Sequence, residues 1–517
     1  MTAVRLLFSL AVILAPVCGP IFGLVWVATG VAGCSAAAEQ VQLAQNQHAG
    51  GDFEGAYQTL TGDGTKELRS ESRDGLLWLM EEGKIAQDAG YFSESARVLT
   101  DASTLADRFD HEFDKNSLAE EAASIAVNSR MRVFRGSYAD RIEIENLRVI
   151  ASLLAGDSFG AVVAAKRAVE RQKDAEVDEA ARIKKVNEDI AKRGGSTTVR
   201  EILAKEGVEL NQGAASYLNP LASWLSGMLQ LSTGDGNDRQ RGETDLRRAL
   251  AMVPAQQVLA AQVAQSPFDL ARAGQPQVVV YFENGVAPQL EQVIIPLVTP
   301  WLGLSTIPLP RMTNVARPAD AVDVAGGGAI VRTEQLVDLD VIWRQEFDQR
   351  LPEIILRTAV MVAAKEGATY AATIPFQKGN PYWGNGNHSN NSWSTSSQIG
   401  YALVLAAASI YKGATNQADL RTWRSIPSEV AIAQMPRPLD GLVRVSLVRG
   451  GVAMGGVDVQ LPDAPVTLVW CRCVVPSRLI VRAVPFVGSY RVPSGTPPAE
   501  LPSMQPVPES SSATHSN

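Results

Sequence analysis

Between Gly75 and Asp107 the chain reads GLLWLMEEGKIAQDAGYFSESARVLTDASTLAD, and small residues recur in it at offsets that a lone helix does not need. Gly83 and Gly90 stand seven apart and Phe92 follows the second glycine. Ser95, Leu99 and Ala102 then fall where a second helix must press on the first. This spacing predicts a helix, a tight turn and a second helix packed back along it. A helical pair of that size cannot bury its apolar face alone. It needs stacked neighbours, which commits this part of the chain to a solenoid of repeated pairs.

Further copies of the unit support that reading. Gly51-Asp52-Phe53 followed by Ala56 and Leu60 repeats the turn and second-helix offsets. Ala155-Gly156-Asp157 makes another turn, with Ala161 and Ala168 seven apart after it. Gly227 and Gly234 repeat the seven-residue spacing, and Ala249 with Pro254 closes that copy, with Gly236 to Arg241 reading as an insertion in its turn. Together they predict a tetratricopeptide-like (TPR-like) solenoid over residues 34–265, with a non-repeating helical bundle as the alternative. A separate helix is expected from Ser117 to Val133, and the charged stretch from Arg171 to Glu209 reads as a solvated spacer helix.

At about Gly274 the pattern changes to short β-rich runs. Val278 to Phe282, Gln292 to Val298, Ala329 to Val331, Glu429 to Ala433, Leu442 to Val448, Val457 to Leu461, Val466 to Val474 and Leu479 to Val484 are the strand candidates. Helices are expected at Val341 to Ala364 and Ser396 to Tyr411, both packed on one face of the sheet. The fold class is therefore α+β and multidomain: the helical solenoid, then a mainly antiparallel α+β domain over 274–490. The polar loop Gly379 to Ser397 and a tail over 491–517 are expected to stay disordered.

The N-terminus bears on compartment. Arg5 precedes an apolar run from Leu6 to Val31 that ends in Val31-Ala32-Gly33-Cys34. A basic start, an apolar core and small residues before a cysteine match a lipoprotein signal peptide over 1–33, with Cys34 as the lipidated first mature residue. A plain transmembrane anchor is the alternative. Ser35 after the cysteine, under the lipoprotein sorting rule, points to the outer membrane, periplasmic side, with the inner membrane as the alternative. Net charge is -8 over 517 residues, an acidic balance that argues against a nucleic-acid partner.

Candidate chemistry is sparse. Histidines stand at 48, 111, 388 and 515, no two at metal-ligand spacing, so neither metal nor cofactor is expected. Cys471 and Cys473 flank Arg472 on a strand, which turns both thiols to one face, as buried or loosely surface thiols, with a redox or metal role as the alternative. Asp338, Asp340 and Glu346 read as acids at the start of a helix, favourable to its dipole. Asp419, Arg421, Trp423 and Arg424, in ADLRTWRSIP, read as an arginine over an indole held by a carboxylate, either a structural clamp or a recognition surface.

The lipobox, LTDASTLADRF, VVVYFENGVAP, FDQRLPEIILRTAV and ADLRTWRSIP, in that order, resemble a family of poorly characterised TPR-containing lipoproteins of Gram-negative bacteria, over roughly Cys34 to Val448. That family tends to be encoded near lipoprotein activators of penicillin-binding proteins, so the resemblance implies an envelope role near peptidoglycan synthesis and carries no catalytic residues. The Asn-rich loop and the Cys471-Arg472-Cys473 strand depart from its pattern. The expectation is a lipid-anchored scaffold that is not an enzyme and that holds a protein or peptide partner on the solenoid. A cell-wall-acting enzyme using acids such as Asp338 or Asp419, or a structural subunit of an envelope machine, are the alternatives.

Overall fold

The computed structural model describes residues 32–65, 69, 72–127, 132–192, 219–233, 236–299, 303–377, 417–486 and 499–500. The signal peptide before Ala32, the loop at 379–397, the helix expected from Ser396 and the turn residue Gly234 lie outside them. Cys34 falls in the first turn of α1, Ala32–Ala49.

Helical pairs make up the N-terminal half. α1 pairs with α2 (Phe53–Thr61), α3 (Gly75–Asp88) with α4 (Phe92–Val127), α5 (Tyr138–Ala155) with α6 (Ser158–Lys192), and α7 (Pro220–Thr233) with α8 (Gly236–Met252). Three of the turns are built alike. Gly51, Gly90 and Gly156 adopt φ of 87°, 91° and 80°. In each turn the glycine and the residue after it donate backwards to the last carbonyls of the helix, as in Gly90 to Gln87 and Tyr91 to Ala86. Only glycine enters that left-handed region without steric cost, which is why the glycine recurs at the turn.

The other recurring glycine sets the distance between the paired helices. A Cβ on Gly83 would stand 2.6 Å from Leu99 Cδ2, and one on Gly227 would stand 2.8 Å from Leu246 Cγ. Ser95 donates to the Gly83 carbonyl at 2.6 Å. Phe92 and Ala102 are buried in the same contact layer. These two pairs therefore close through the missing side chain on their first helix.

The β-rich half holds two sheets and a ribbon. One sheet has the order β12-β11-β10-β1-β7-β6, from β12 (Ala499–Glu500), β11 (Arg478–Pro485), β10 (Val466–Val475), β1 (Gln277–Asn284), β7 (Glu429–Pro436) and β6 (Glu334–Asp338). The other has the order β5-β4-β8-β9, from β5 (Ala329–Arg332), β4 (Ala321–Gly326), β8 (Leu442–Arg449) and β9 (Val452–Gln460). They pack face to face over Val280, Phe282, Val324, Val445, Val469 and Cys471. The opposite face of the six-stranded sheet meets the helices. There Trp224 stacks on Tyr281 at 6.0 Å, Phe92 meets Trp470 edge-on and Phe268 meets Phe486 edge-on. The fold is thus α+β, helices first and sheets after. A single apolar core runs from α1 to β11, through the composition change at 265–274 bridged by α9 (Gln257–Ala264) and α10 (Pro267–Arg272).

Several local expectations are corrected. The helix expected to start at Ser117 is the continuation of α4, and Gly236 to Arg241 is the first turn of α8 rather than an insertion. β1 pairs parallel with β10. The helix expected on the sheet is α11 (Leu339–Gln377), whose Ile355 and Val362 instead pack on Ile295, Ile307 and Leu309 of the ribbon β2 (Gln289–Thr299) and β3 (Gly303–Thr313). β3 escaped notice because Pro308 and Pro310 lie in it, at Ile294 and Gln292 of its single partner. A strand with one neighbour has a free edge where the missing N–H costs nothing. In the tail expected to be disordered, Ala499–Glu500 pair with β11 as β12.

Candidate functional site

Two groups of charged side chains stand out, one sealed and one open. The sealed group joins the helices to the sheet. Because β1 and β10 run parallel and in register, Glu283 lies beside Arg472 on the face turned to the helices. Opposite them α3 presents Lys84 and Asp88, one turn apart. Lys84 Nζ donates to Glu283 Oε2 and to Asp88 Oδ1, both at 2.6 Å. Arg472 Nε donates to Asp88 Oδ2 at 3.0 Å, and His48 Nε2 of α1 lies 2.8 Å from the same oxygen.

These five residues are 0–1% exposed. Two cations face two carboxylates, so the cluster balances with His48 neutral. Burial lowers the pKa of His48 against the pull of Asp88. Burial alone would raise Asp88, but Arg472 and Lys84 outweigh it and hold that carboxyl below its ordinary range. Glu143 of α5 lies alongside, pushed up to about 7 by burial and, more weakly, by Glu283. A closed, matched cluster of this kind positions elements and offers nothing to a reactant.

On the far side of β10 the thiols of Cys471 and Cys473 are buried in the sandwich core as free cysteines, their pKa raised by desolvation. The alternation that put both on one face is what turns Arg472 to the other.

The knot Asp419, Arg421, Trp423, Arg424 is used inside the molecule. Arg421 is held by both oxygens of Asp419, at 2.8 and 2.6 Å, and by Asp74 at 2.6 Å. The ring under its guanidinium is Phe134, at 5.7 Å, and not the expected Trp423. Trp423 is fully buried and donates to Ser425. The Arg424 backbone N–H donates to Glu81, which also accepts from Gln45. Glu346 has a different partner from the one expected: both its oxygens accept the first free N–H groups of α5, at Tyr138 and Ala139. It serves the positive end of a neighbouring helix instead of its own.

The open group sits where β1, β6 and β7 end. Asp338, Glu429 and Asn284 stand in one register row across those three strands. Arg317, from the segment before β4, reaches over the row. Its Nη2 lies 2.7 Å from Asp338 Oδ1 and 3.7 Å from Asp340 Oδ2, and its Nη1 bonds Glu429 Oε2. Gln335 donates to Glu429 Oε2 at 2.8 Å, and Asn284 Nδ2 donates to Glu429 Oε1 at 2.6 Å. Side chains of Arg317 and Asp338 are 29% and 31% exposed, so the group opens to solvent. Burial pushes Asp340 up to about 7 against Arg317, with Asp338 and Glu429 adding to the rise. Three carboxylates share one guanidinium, and a perturbed carboxyl beside solvent-exposed charges marks a candidate functional site.

Asp338 and Asp340 were therefore the sequence candidates that converge, while Asp419 is engaged by Arg421 elsewhere. Arg317, Glu429 and Asn284 carried no local signal, since nothing in the spacing of residues 284, 317 and 429 brings them together before the sheet is formed. Among the described residues no group of histidine, cysteine and acids is arranged to hold a metal ion. No protein-family model, characterised protein or solved structure matches this chain.

Proposed function

We propose that this chain is a lipid-anchored scaffold of the bacterial cell envelope, attached at Cys34 to the periplasmic side of the outer membrane, that binds a protein or peptide through TPR-like helical pairs. The sequence Val31-Ala32-Gly33-Cys34 at the end of an apolar run carries the anchor. The three alike glycine turns and the matched Gly83 and Gly227 contacts support the repeat reading. The resemblance to envelope TPR lipoproteins supports a place near peptidoglycan synthesis.

The inner helices α1, α3, α5 and α7 carry the chain's own sheet, so a partner on the solenoid meets the outer helices. Phe159 at the start of α6 is 79% exposed, and Tyr91, stacked on Tyr57, is 42% exposed. Exposed aromatic surface of this kind suits a partner better than it suits water. The anchor leaves little slack, because Ala37 and Val41 of α1 are already in the core three and seven residues after Cys34. The body would sit close to the membrane.

The test is the mass of the N-terminal peptide from cells. A peptide beginning at Cys34 with added acyl mass is the expected result, and Cys34→Ala should leave an uncleaved precursor. A wild-type peptide that begins elsewhere, or lacks lipid, contradicts the anchor.

A further inference from the structure

We propose that the recess around Arg317, lined by Asp338, Asp340 and Asn284, binds a primary ammonium group. The inference stands apart from the anchor, since it rests on the strand ends alone.

The argument starts from unmet hydrogen bonds. Asn284 is fully buried, and while its Nδ2 donates to Glu429 and to the Ala319 carbonyl, its Oδ1 has no partner. Asp340 is 8% exposed, and its Oδ1 also has none. Both orphans are acceptors, and a buried acceptor left without a donor is destabilising. What the recess lacks is therefore N–H or O–H donors. Charge points the same way. With Asp340 ionised, Asp338, Asp340 and Glu429 bring three negative charges against the single positive charge of Arg317; the other positive charge acting on Asp340, Arg344, acts more weakly.

An ammonium supplies three donors and one positive charge in a compact head. Water would satisfy the acceptors and leave the charge excess. A guanidinium is already present in Arg317, whose planar fork spans Asp338 and Glu429. The amine approaches at Asp338 and Arg317, which remain about a third exposed, while Asn284 and Asp340 are buried. The oxygens of Glu429 are taken by Arg317, Gln335 and Asn284, so Glu429 holds the recess in shape instead of facing the ligand.

The ammonium belongs either to a free amine or to a lysine of a partner chain, and the test separates them. Full-length protein in detergent is titrated calorimetrically with 1,4-diaminobutane, with acetyl-Gly-Lys-Gly-amide and with the same peptide acetylated on the lysine. Saturable binding of either amine, with the acetylated peptide silent, is the expected result, and the tighter of the two identifies the source. Asp338→Asn, a partly exposed change that leaves the row paired, should weaken that binding about tenfold, the loss of one charge-assisted hydrogen bond. Binding should also weaken below pH 7, where Asp340 takes up its proton. Absence of binding by both amines, equal binding of the acetylated peptide, or unchanged affinity in Asp338→Asn would each overturn the assignment. Because Asn284→Ala risks the fold, it is used only with a denaturation curve beside it; normal stability with unchanged amine affinity would also contradict the proposal.

Discussion

The helix–sheet joint and the strand-end recess use the same residue types to opposite ends. At the joint Lys84 and Arg472 balance Asp88 and Glu283 charge for charge, and all four side chains are closed to bulk solvent. At the recess three carboxylates meet Arg317 alone, and Asp338 stays in contact with solvent. A matched and sealed set fixes geometry, because every charge needs its counterpart to remain buried. An unmatched and open set leaves binding capacity, because solvent tolerates the excess until a ligand replaces it. The difference lies in counting and access, not in residue chemistry.

The comparison breaks first at Arg472. Replacing it with leucine leaves Asp88 and Glu283 with Lys84 alone, and removal of one partner from a buried ionic cluster costs about 3–5 kcal/mol. Urea denaturation should show that loss; a change under about 1 kcal/mol would mean the joint is not a buried ionic lock. Next in size is Gly83→Val, which drives a branched side chain into Leu99 and should cost about 1–3 kcal/mol by overpacking the α3–α4 contact.

Glu143 gives a pH signature of similar or smaller size. Its ordinary value is 4.5 and the folded value is about 7, so the folded chain holds a proton the unfolded chain has lost. The stability it contributes is present below pH 4.5 and is lost as pH rises to 7, by on the order of 1–3 kcal/mol. Glu143→Gln should flatten that part of the profile. A slope unchanged in Glu143→Gln would assign the pH dependence to another group. Smallest of all should be Arg317→Leu. Arg317 and Asp338 are about a third exposed while Asp340 and Glu429 are buried, so stability should move by less than at Arg472. A loss as large as that at Arg472 would erase the distinction between the two regions.

Much of the helical half was legible because its turns depend on single residues. Gly51, Gly90 and Gly156 each occupy a conformation that excludes a side chain, and such positions show in a sequence. The strands were legible where apolar runs were unbroken, as in β1 and β10. β3 was hidden by its prolines, and β4 and β6 are short, β4 broken by Asp323 and β6 flanked by polar residues at both ends. The length of α4 was missed because Asp107 to Asn116 is polar and reads as a break, yet it continues the helix. Of the charged residues, Arg472 was noticed only for the cysteines beside it. Its role depends on α3, nearly four hundred residues away, at Asp88. Asp338 and Asp340 were visible as helix-start acids, but Asn284, Arg317 and Glu429 join them only through strand register. Long-range pairing of that kind leaves no periodicity to read.

Native-state hydrogen exchange resolved by residue tests the claim that the joint makes helices and sheet one body. The inner helix α3 and the strand β10 should exchange through the same global opening, with equal free energies that fall together in Arg472→Leu. If α3 exchanges through a separate, lower-energy opening while β10 stays protected, the helical half is an independent unit and the sealed cluster does not lock it to the sheet.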